Sequence, residues 1–366
     1  MKRIKVDIPF MISVGILAIA GFLIFSSASL GLLSKQALVY GSVAFNQTFF
    51  GLFLGSLALL VTMQVDYKFY QKYSPWIFLA TIVATLLVFA PHIGSYHGGA
   101  ARWLYIGPLS LQPSELLKIG YIVYLSAWLA KVKDKAGTFK MGFVPFVVLS
   151  AIVGAILLKQ PDTATFAITF VAGLAVYLTG GGRWKYVFLL LAVGALGLGL
   201  IALERPYIMS RITTYMNPAD NSLGSGYQIQ QSLIAVGSGG LTGRGYGQSI
   251  QKFNYLPEPI GDSIFAVAGE EFGFIGTVTL ILLFIFFAFR GLKIAGRVPN
   301  TFGRLLVVGI VILIVSQAYV NISAMVGVLP LSGVPLPFVS HGGTALFMTL
   351  AEAGIILNVS KSAKKV

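Results

Sequence analysis

Long apolar runs broken by short polar punctuation organise this chain, and the runs are apolar on every side instead of on one face. That pattern suits helices surrounded by lipid or by one another, not the amphipathic helices of a water-soluble surface. A helix needs about 20 mostly apolar residues to cross the hydrocarbon of a bilayer. Ten stretches qualify: Ile8–Leu30, Thr48–Val65, Pro75–Pro91, Pro113–Ala130, Met141–Leu158, Asp162–Thr179, Tyr186–Leu203, Ser263–Phe289, Arg304–Ile322 and Gly343–Val359. Lys159-Gln160-Pro161 separates the fifth from the sixth as a tight break. The segment Met325–Gly342 is apolar but repeatedly interrupted by Gly and Pro, which suits a re-entrant or cavity-lining loop better than a span.

Composition narrows the class. Only 10% of residues are charged and 56% are hydrophobic. An ordinary globular domain carries about 25% charge, so this chain cannot cover a soluble surface. A soluble enzyme, a disordered chain and a disulfide scaffold are excluded. The absence of cysteine removes thiolate chemistry and Cys-based metal sites. The expectation is an all-α polytopic membrane protein, one membrane domain over residues 1–366, with ten helices. A large extracytoplasmic loop, Glu204–Asp262, joins the seventh and eighth.

The net charge of +14 could signal nucleic-acid binding, but its distribution says otherwise. With the N-terminus inside, all Lys and Arg fall on cytoplasmic segments except Lys35, Arg102, Lys118, Lys159, Arg205, Arg211, Arg244 and Lys252. The positive-inside bias therefore accounts for the excess, places both termini in the cytoplasm and requires no nucleic acid. Met1-Lys2-Arg3 precedes an apolar stretch too long for a cleaved signal peptide, which reads as an uncleaved signal-anchor helix.

The acidic residues divide into two groups. Asp7, Asp66 and Asp134 sit at cytoplasmic span edges and read as solvated interfacial charges, as do Glu204 and Asp220 at the start of the long loop. Glu115, Asp162, Asp262, Glu270, Glu271 and Glu352 lie in spans or at their outer ends, and Glu258 just before one. An ionised carboxylate inside a membrane is costly unless paired or wet, so each is a candidate functional group. The bases that break the positive-inside bias gather on the same side, which suggests a polar cavity open to the outer leaflet. Glu115 and Lys118, three apart, share one helical face. They read either as a buried ion pair or as a phosphate-binding lysine with its orienting carboxylate. His92, His97 and His341 have no zinc-motif spacing. The glycine-rich stretch Gly237–Gly247 follows no strand, so it is a weak nucleotide motif and suits a close-packed loop over a sugar or phosphate.

Taken together, these residues resemble the SEDS family (shape, elongation, division and sporulation). The likeness is carried by Gly99-Ala100-Ala101-Arg102-Trp103-Leu104, Gln112-Pro113-Ser114-Glu115-Leu116-Leu117-Lys118 and Lys159-Gln160-Pro161-Asp162. It continues through Gly224-Ser225-Gly226-Tyr227-Gln228, Tyr255-Leu256-Pro257-Glu258, Ala268-Gly269-Glu270-Glu271 and Gly333-Val334-Pro335-Leu336-Pro337-Phe338-Val339-Ser340. Gln231-Ser232-Leu233, Gln251-Lys252 and Gly269 point to the division branch over the elongation branch. Two places depart from the family pattern. Pro259-Ile260-Gly261-Asp262-Ser263 keeps the aspartate but lacks its usual His and Phe neighbours, and His341 stands where a Tyr is usual.

The resemblance implies a peptidoglycan glycosyltransferase that polymerises lipid II. The 4-hydroxyl of the acceptor sugar attacks the donor's anomeric carbon and undecaprenyl pyrophosphate leaves, with inversion. It implies Asp262 as the catalytic base, although Asp before a helix is also a common N-cap. Arg102, Gln112, Glu115, Lys118, Asp162, Arg211, Arg244, Glu258, Ser340 and His341 are the candidate substrate contacts. A divalent cation, Mg or Mn, is an alternative counter-charge for the pyrophosphate. The implied partners are lipid II, a class B penicillin-binding protein acting as transpeptidase, and other division proteins. Small residues on spans 8 and 9, including Gly269, Gly273, Gly276, Ala318, Ser323 and Ala324, are the expected surface for the transpeptidase helix. The competing classes are a lipid II flippase, an elongation-branch polymerase and a non-catalytic division scaffold.

Overall fold

The structure, a computed structural model, describes residues 6–35, 37–90, 94–97, 100–106, 109–190, 192, 194 and 225–364. Arg205, Arg211, His92 and the seventh span beyond residue 194 lie outside these residues.

The apolar runs fold as helices, since a helix satisfies its own backbone donors and acceptors where no water can. The first is α1 (Ile8–Lys35). The second span is α2 (Ala37–Phe45), a π-helical stretch (Asn46–Leu54) and α3 (Gly55–Gln64), so it begins earlier than the hydropathy edge. A short α4 (Tyr67–Lys72), N-capped by the Asp66 carboxylate, leads to α5 (Ser74–Leu86). Then come α6 (Pro113–Val132), α7 (Val144–Lys159) and α8 (Thr163–Thr179). Residues 184–190 are helical and begin the expected seventh span. Past residue 224 the chain forms α9 (Ser225–Ser238), α10 (Gln251–Asn254), α11 (Ile264–Arg297), α12 (Thr301–Met325) and α13 (Gly343–Ser360). Among the described residues, six helical segments are long and apolar enough to cross a membrane, and Ser74–Phe89 and Thr163–Thr179 are shorter apolar helices. The protein is a polytopic, mostly helical membrane protein.

Helices α12 and α13 form the centre. Helix α12 packs against α6, α8, α11 and α13, and most of α13 is buried. The second span is the least covered by protein. Asp7, expected to be solvated, instead makes a bidentate pair with Arg290 at 2.8 and 2.9 Å, tying the start of α1 to α11.

Two features depart from the expected all-helical pattern. The segment before α6 forms a three-stranded antiparallel sheet: β1 (Gly94–His97), β2 (Ala100–Ile106) and β3 (Leu109–Leu111). Leu104 pairs with Gly94 on one side and Leu111 on the other, and packs on Val88. β1 and β3 are short, and the seven residues of β2 do not alternate apolar with polar, so no strand pattern revealed the sheet.

The second departure is a break in α11. Gly273 has φ 63° and ψ −163°, so the helix stops and restarts there. A break leaves carbonyls orphaned on one side and amides on the other. The glycine-rich segment satisfies both sets. Arg244 N and Gly245 N donate to the Glu270 and Glu271 carbonyls at 3.0 Å each, while Phe274 N and Ile275 N donate to Gly240 and Leu241 carbonyls at 2.9 and 3.1 Å. The segment read as a loop over a sugar or phosphate therefore splices a membrane helix. Its glycines are needed because the backbones meet: a Cβ at Gly273 would collide with Gly243 N.

This packing also corrects the expected partner surface. Gly269 lies against Val236, Gly273 against Gly243 and Leu241, and Gly276 against Phe272. Ala318, Ser323 and Ala324 are buried. Gly269, Gly273, Ala318, Ser323 and Ala324 therefore pack within their own chain, whereas Gly276 stays partly exposed beside exposed Phe274 and Ile275.

Gly273→Ala combines a left-handed φ with a backbone collision and is expected to cost at least about 2 kcal/mol. Gly296, where a Cβ would meet nothing, is the control. Thermal unfolding in detergent should show a clear loss for Gly273→Ala and little change for Gly296→Ala.

Candidate functional site

Asp262 sits in the turn that enters α11, with its side chain half-buried. Ser263, not Asp262, occupies the N-cap position, so the cap reading does not describe this carboxylate. The turn is held from three directions. Asn321 of α12 donates to the Asp262 and Val334 carbonyls, both at 2.8 Å. Ser340 Oγ donates to the Gly261 carbonyl at 2.7 Å and accepts from Leu336 N at 2.8 Å. His341 N donates to the Ile260 carbonyl at 2.7 Å. The interrupted segment 326–342 is thus clamped onto the aspartate turn. Gln47, presented by the π-helical stretch, holds the clamp from behind: its amide donates to Ser340 O at 3.2 Å and accepts from Gly342 N at 3.0 Å.

The electrostatic setting of Asp262 is mixed. Burial pushes its carboxyl up to about 6, the Glu258 and Asp162 charges add to the rise, and Arg102 opposes it. Glu258 stands in a left-handed conformation, φ 47°, beside the turn. A Cβ on Gly333 would lie 3.6 Å from Asp262 Oδ2, so the segment 326–342 passes close to the carboxylate itself. His341 stacks on Phe25, with ring centroids 5.9 Å apart, and its buried Nε2 has no hydrogen-bond partner among the described residues.

Strand β2 delivers Arg102 to the α7–α8 corner. Its Nε and Nη2 donate to the Gln160 and Pro161 carbonyls at 3.1 and 2.6 Å. Those carbonyls follow the C-terminus of α7, where a cation is favoured. Asp162 caps the next helix, accepting from Thr165 N at 3.3 Å. The Lys159-Gln160-Pro161-Asp162 motif is therefore a helix corner stapled by Arg102, and both charges bear on Asp262.

A second cluster lies deeper. Lys118 pairs with Glu115 at 2.9 Å and donates to Gln317 Oε1 at 2.8 Å. Glu352 of α13 is buried within electrostatic reach of both. Gln317 Nε2 donates to the Pro335 carbonyl at 3.0 Å, so this cluster grips the same segment 326–342 that clamps Asp262. Gln112 begins α6, and its N–H donates to Thr344 Oγ1 at 3.4 Å. Arg244 does not join either cluster: it pairs with Glu270 at 3.4 Å beside the α11 break. Among the described residues no three Asp, Glu or His side chains converge to hold a metal ion. A divalent cation held mainly by substrate phosphates would need only one or two carboxylates, which the Asp262 and Glu258 neighbourhood can supply.

Sequence reasoning missed the amides. Gln317 and Asn321 are four apart on α12 and share a face, and Gln47 and Gln228 play similar roles. Uncharged amides inside apolar spans were the available signal, because a buried amide requires partners.

Residues 8–365 match the model of the cell cycle protein family FtsW/RodA/SpoVE. The chain belongs to this family. Stage V sporulation protein E of Bacillus subtilis is 39% identical over 310 residues, 84% of each chain. A probable peptidoglycan glycosyltransferase FtsW of Geobacter metallireducens is 40% identical, over 85% of this chain and 83% of that one. Solved structures share the fold. A chain of a peptidoglycan synthase complex superposes with a TM-score of 0.79 at 24% identity, over 97% of this chain and 98% of that one. RodA of Thermus thermophilus superposes with a TM-score of 0.69 at 24% identity over 100% of both. Membership in the FtsW/RodA/SpoVE family agrees with the resemblance carried by the motifs.

Lys118 is the cation paired with buried Glu115, so removing it strands that carboxylate. Lys118→Met is expected to cost about 3–5 kcal/mol, and Lys118→Met with Glu115→Gln less, because the second change removes one uncompensated charge. Thermal unfolding of the two variants checks the order. Equal losses would show that Glu115 is not stranded when Lys118 is removed.

Proposed function

We propose that this chain is a peptidoglycan glycosyltransferase that polymerises lipid II on the outer face of the bacterial cytoplasmic membrane, in septal wall synthesis. The observation that carries this reading is Asp262, outside the cap position, with its turn clamped from α12 and 326–342 and its carboxyl set by Glu258, Asp162 and Arg102. The named relatives, a peptidoglycan glycosyltransferase FtsW among them, support it.

The chemistry needs a base and a counter-charge. The acceptor's 4-hydroxyl oxygen bonds to the donor's anomeric carbon as the bond to the pyrophosphate oxygen breaks. Asp262 takes the hydroxyl proton. A base of this kind contributes about 10²–10⁴-fold and works best with a pKa near the working pH. Arg102 is the cation whose charge reaches Asp262 and the first candidate for the departing pyrophosphate. Lys118 already serves Glu115 and Gln317 and is the second. Ser340 and Asp162 act by holding backbone in place, and His341 brings a buried, unpartnered ring nitrogen beside the Asp262 turn.

The positive-inside distribution supports placing the Asp262 end outside. The fold neighbour from a peptidoglycan synthase complex supports a crosslinking partner, which we assign to a class B penicillin-binding protein. A flippase for the same lipid is the second reading. It would move lipid II and make no polymer.

Purified protein given lipid II in detergent should make glycan strands. Asp262→Ala and Asp262→Asn should each lose at least about 100-fold while remaining folded, because an amide cannot accept the proton. Near-normal polymerisation by either variant would overturn the base assignment, and transport without polymer would favour the flippase.

The pH profile supplies an independent check. A base must be ionised, so the rate should rise with pH through about 6. Glu258 raises the Asp262 value and Arg102 lowers it, so Glu258→Gln should move this limb to lower pH and Arg102→Gln to higher pH. A limb that both variants leave in place would belong to another group.

A further inference from the structure

A group of buried charges outside the Asp262 site is fully paired within itself. Lys252 and Glu271 form an ion pair at 2.7 Å, with side chains 0% and 1% exposed. Lys252 Nζ also donates to Ser27 Oγ of α1 at 3.0 Å and to the Gly247 carbonyl at 2.9 Å, which uses all three of its donors. Glu271 accepts from Ser27 Oγ at 2.6 Å and from Ser249 N at 3.4 Å. Its neighbour Glu270 accepts from Ser249 Oγ at 2.6 Å, Ile250 N at 3.1 Å and Gln251 N at 3.2 Å.

These bonds have a topological consequence. Glu270 and Glu271 belong to the part of α11 that begins two residues after Asp262 and ends at the Gly273 break. Their carboxylates grip residues 249–252, the start of the stretch that runs through Glu258 and Asp262 back into the same half-helix. The stretch therefore leaves and returns to one rigid element, with its far end pinned by carboxylates and its near end by the chain itself. Ser27 ties the pinned end to α1. Stability alone does not explain the arrangement, since a buried ion pair gains little over well-packed apolar side chains of similar volume. A loop that must hold a carboxylate in one place does explain it.

We propose that Glu271, Lys252 and Ser27, with Glu270, are positioning residues that fix the loop carrying Glu258 and Asp262 in the geometry the polymerisation step requires. This rests on the reading of Asp262 as the base. None of the four touches the reacting atoms. They act through the loop.

The test uses the whole chain in detergent with lipid II as substrate. Lys252→Met with Glu271→Gln removes the charges together and keeps an acceptor for Ser27 and Ser249. Its melting temperature should stay near wild type. Its kcat should fall by about 10- to 100-fold with KM for lipid II unchanged, the signature of a misplaced group. Amide exchange over 250–262 should accelerate while α6 and α12 stay protected. Wild-type kcat or unchanged exchange over 250–262 overturns the proposal. If the double variant fails to fold, Ser27→Ala is read in its place. It must show faster exchange confined to 250–262 with a smaller kcat loss, and unchanged exchange there overturns the proposal as well. Failure of the underlying reading looks different: wild-type protein would make no glycan, or Asp262→Ala would still make it.

Discussion

Backbone that leaves a helix inside a membrane must find new hydrogen-bond partners, and this constraint shapes the Asp262 end of the molecule. The chain leaves helical geometry at Gly273 and across 326–342. In both places the freed groups are met by another part of the same protein. The glycine segment 240–245 splices the α11 break, and amide side chains from α12 and the π-helical stretch hold 326–342. Irregular backbone is what allows a carboxylate turn to be approached closely from several sides. The cost of the irregularity is an obligation to satisfy every group, and that obligation fixes the geometry.

The same segment 326–342 links the two charge clusters. Asn321 reaches Val334 and Gln317 reaches Pro335, while Gln317 also accepts from Lys118. The ion pair of Lys118 and Glu115 and the Asp262 turn therefore share one intermediary, held by two amides on one face of α12. The path from the Lys118 cluster to the aspartate runs through four hydrogen bonds, Lys118 to Gln317, Gln317 to Pro335, and Asn321 to both Val334 and Asp262.

The membrane class, the position of most spans and the gathering of acids and bases at one end were legible because they depend on composition and on long apolar runs. The family motifs carried the aspartate. What was not legible depends on contacts between distant residues. Gly273 looks like any other glycine in a helix until the segment carrying Gly243 lies against it. Gly237–Gly247 reads as a ligand loop because nothing local shows that its partner is a helix break. The central strand of the sheet before α6 does not alternate apolar with polar residues, so its period does not register. Small residues on α11 and α12 read as a partner surface because close packing looks the same whichever chain supplies the neighbour, and here it is Val236, Leu241 and Phe272. Arg102 was recognisable as a base that departs from the positive-inside pattern, but not as the cation stapling the α7–α8 corner.

The opposing influences on Asp262 then acquire a physical meaning. Burial and the charges of Glu258 and Asp162 make its carboxylate a stronger base than one in water, and Arg102 limits the rise. A carboxyl near 6 is still mainly ionised at neutral pH, so it retains the form that accepts a proton and gains driving force for the transfer. Among the described residues Arg102 is held by backbone carbonyls and forms no salt bridge with a carboxylate. It restrains the base and leaves positive potential beside the place where a pyrophosphate would depart. A lysine in the same position would lack the fixed fork that spans two successive carbonyls. The arginine on β2 thus meets two needs that a point charge would meet only in part: the corner between α7 and α8 is closed, and the rise at Asp262 is limited.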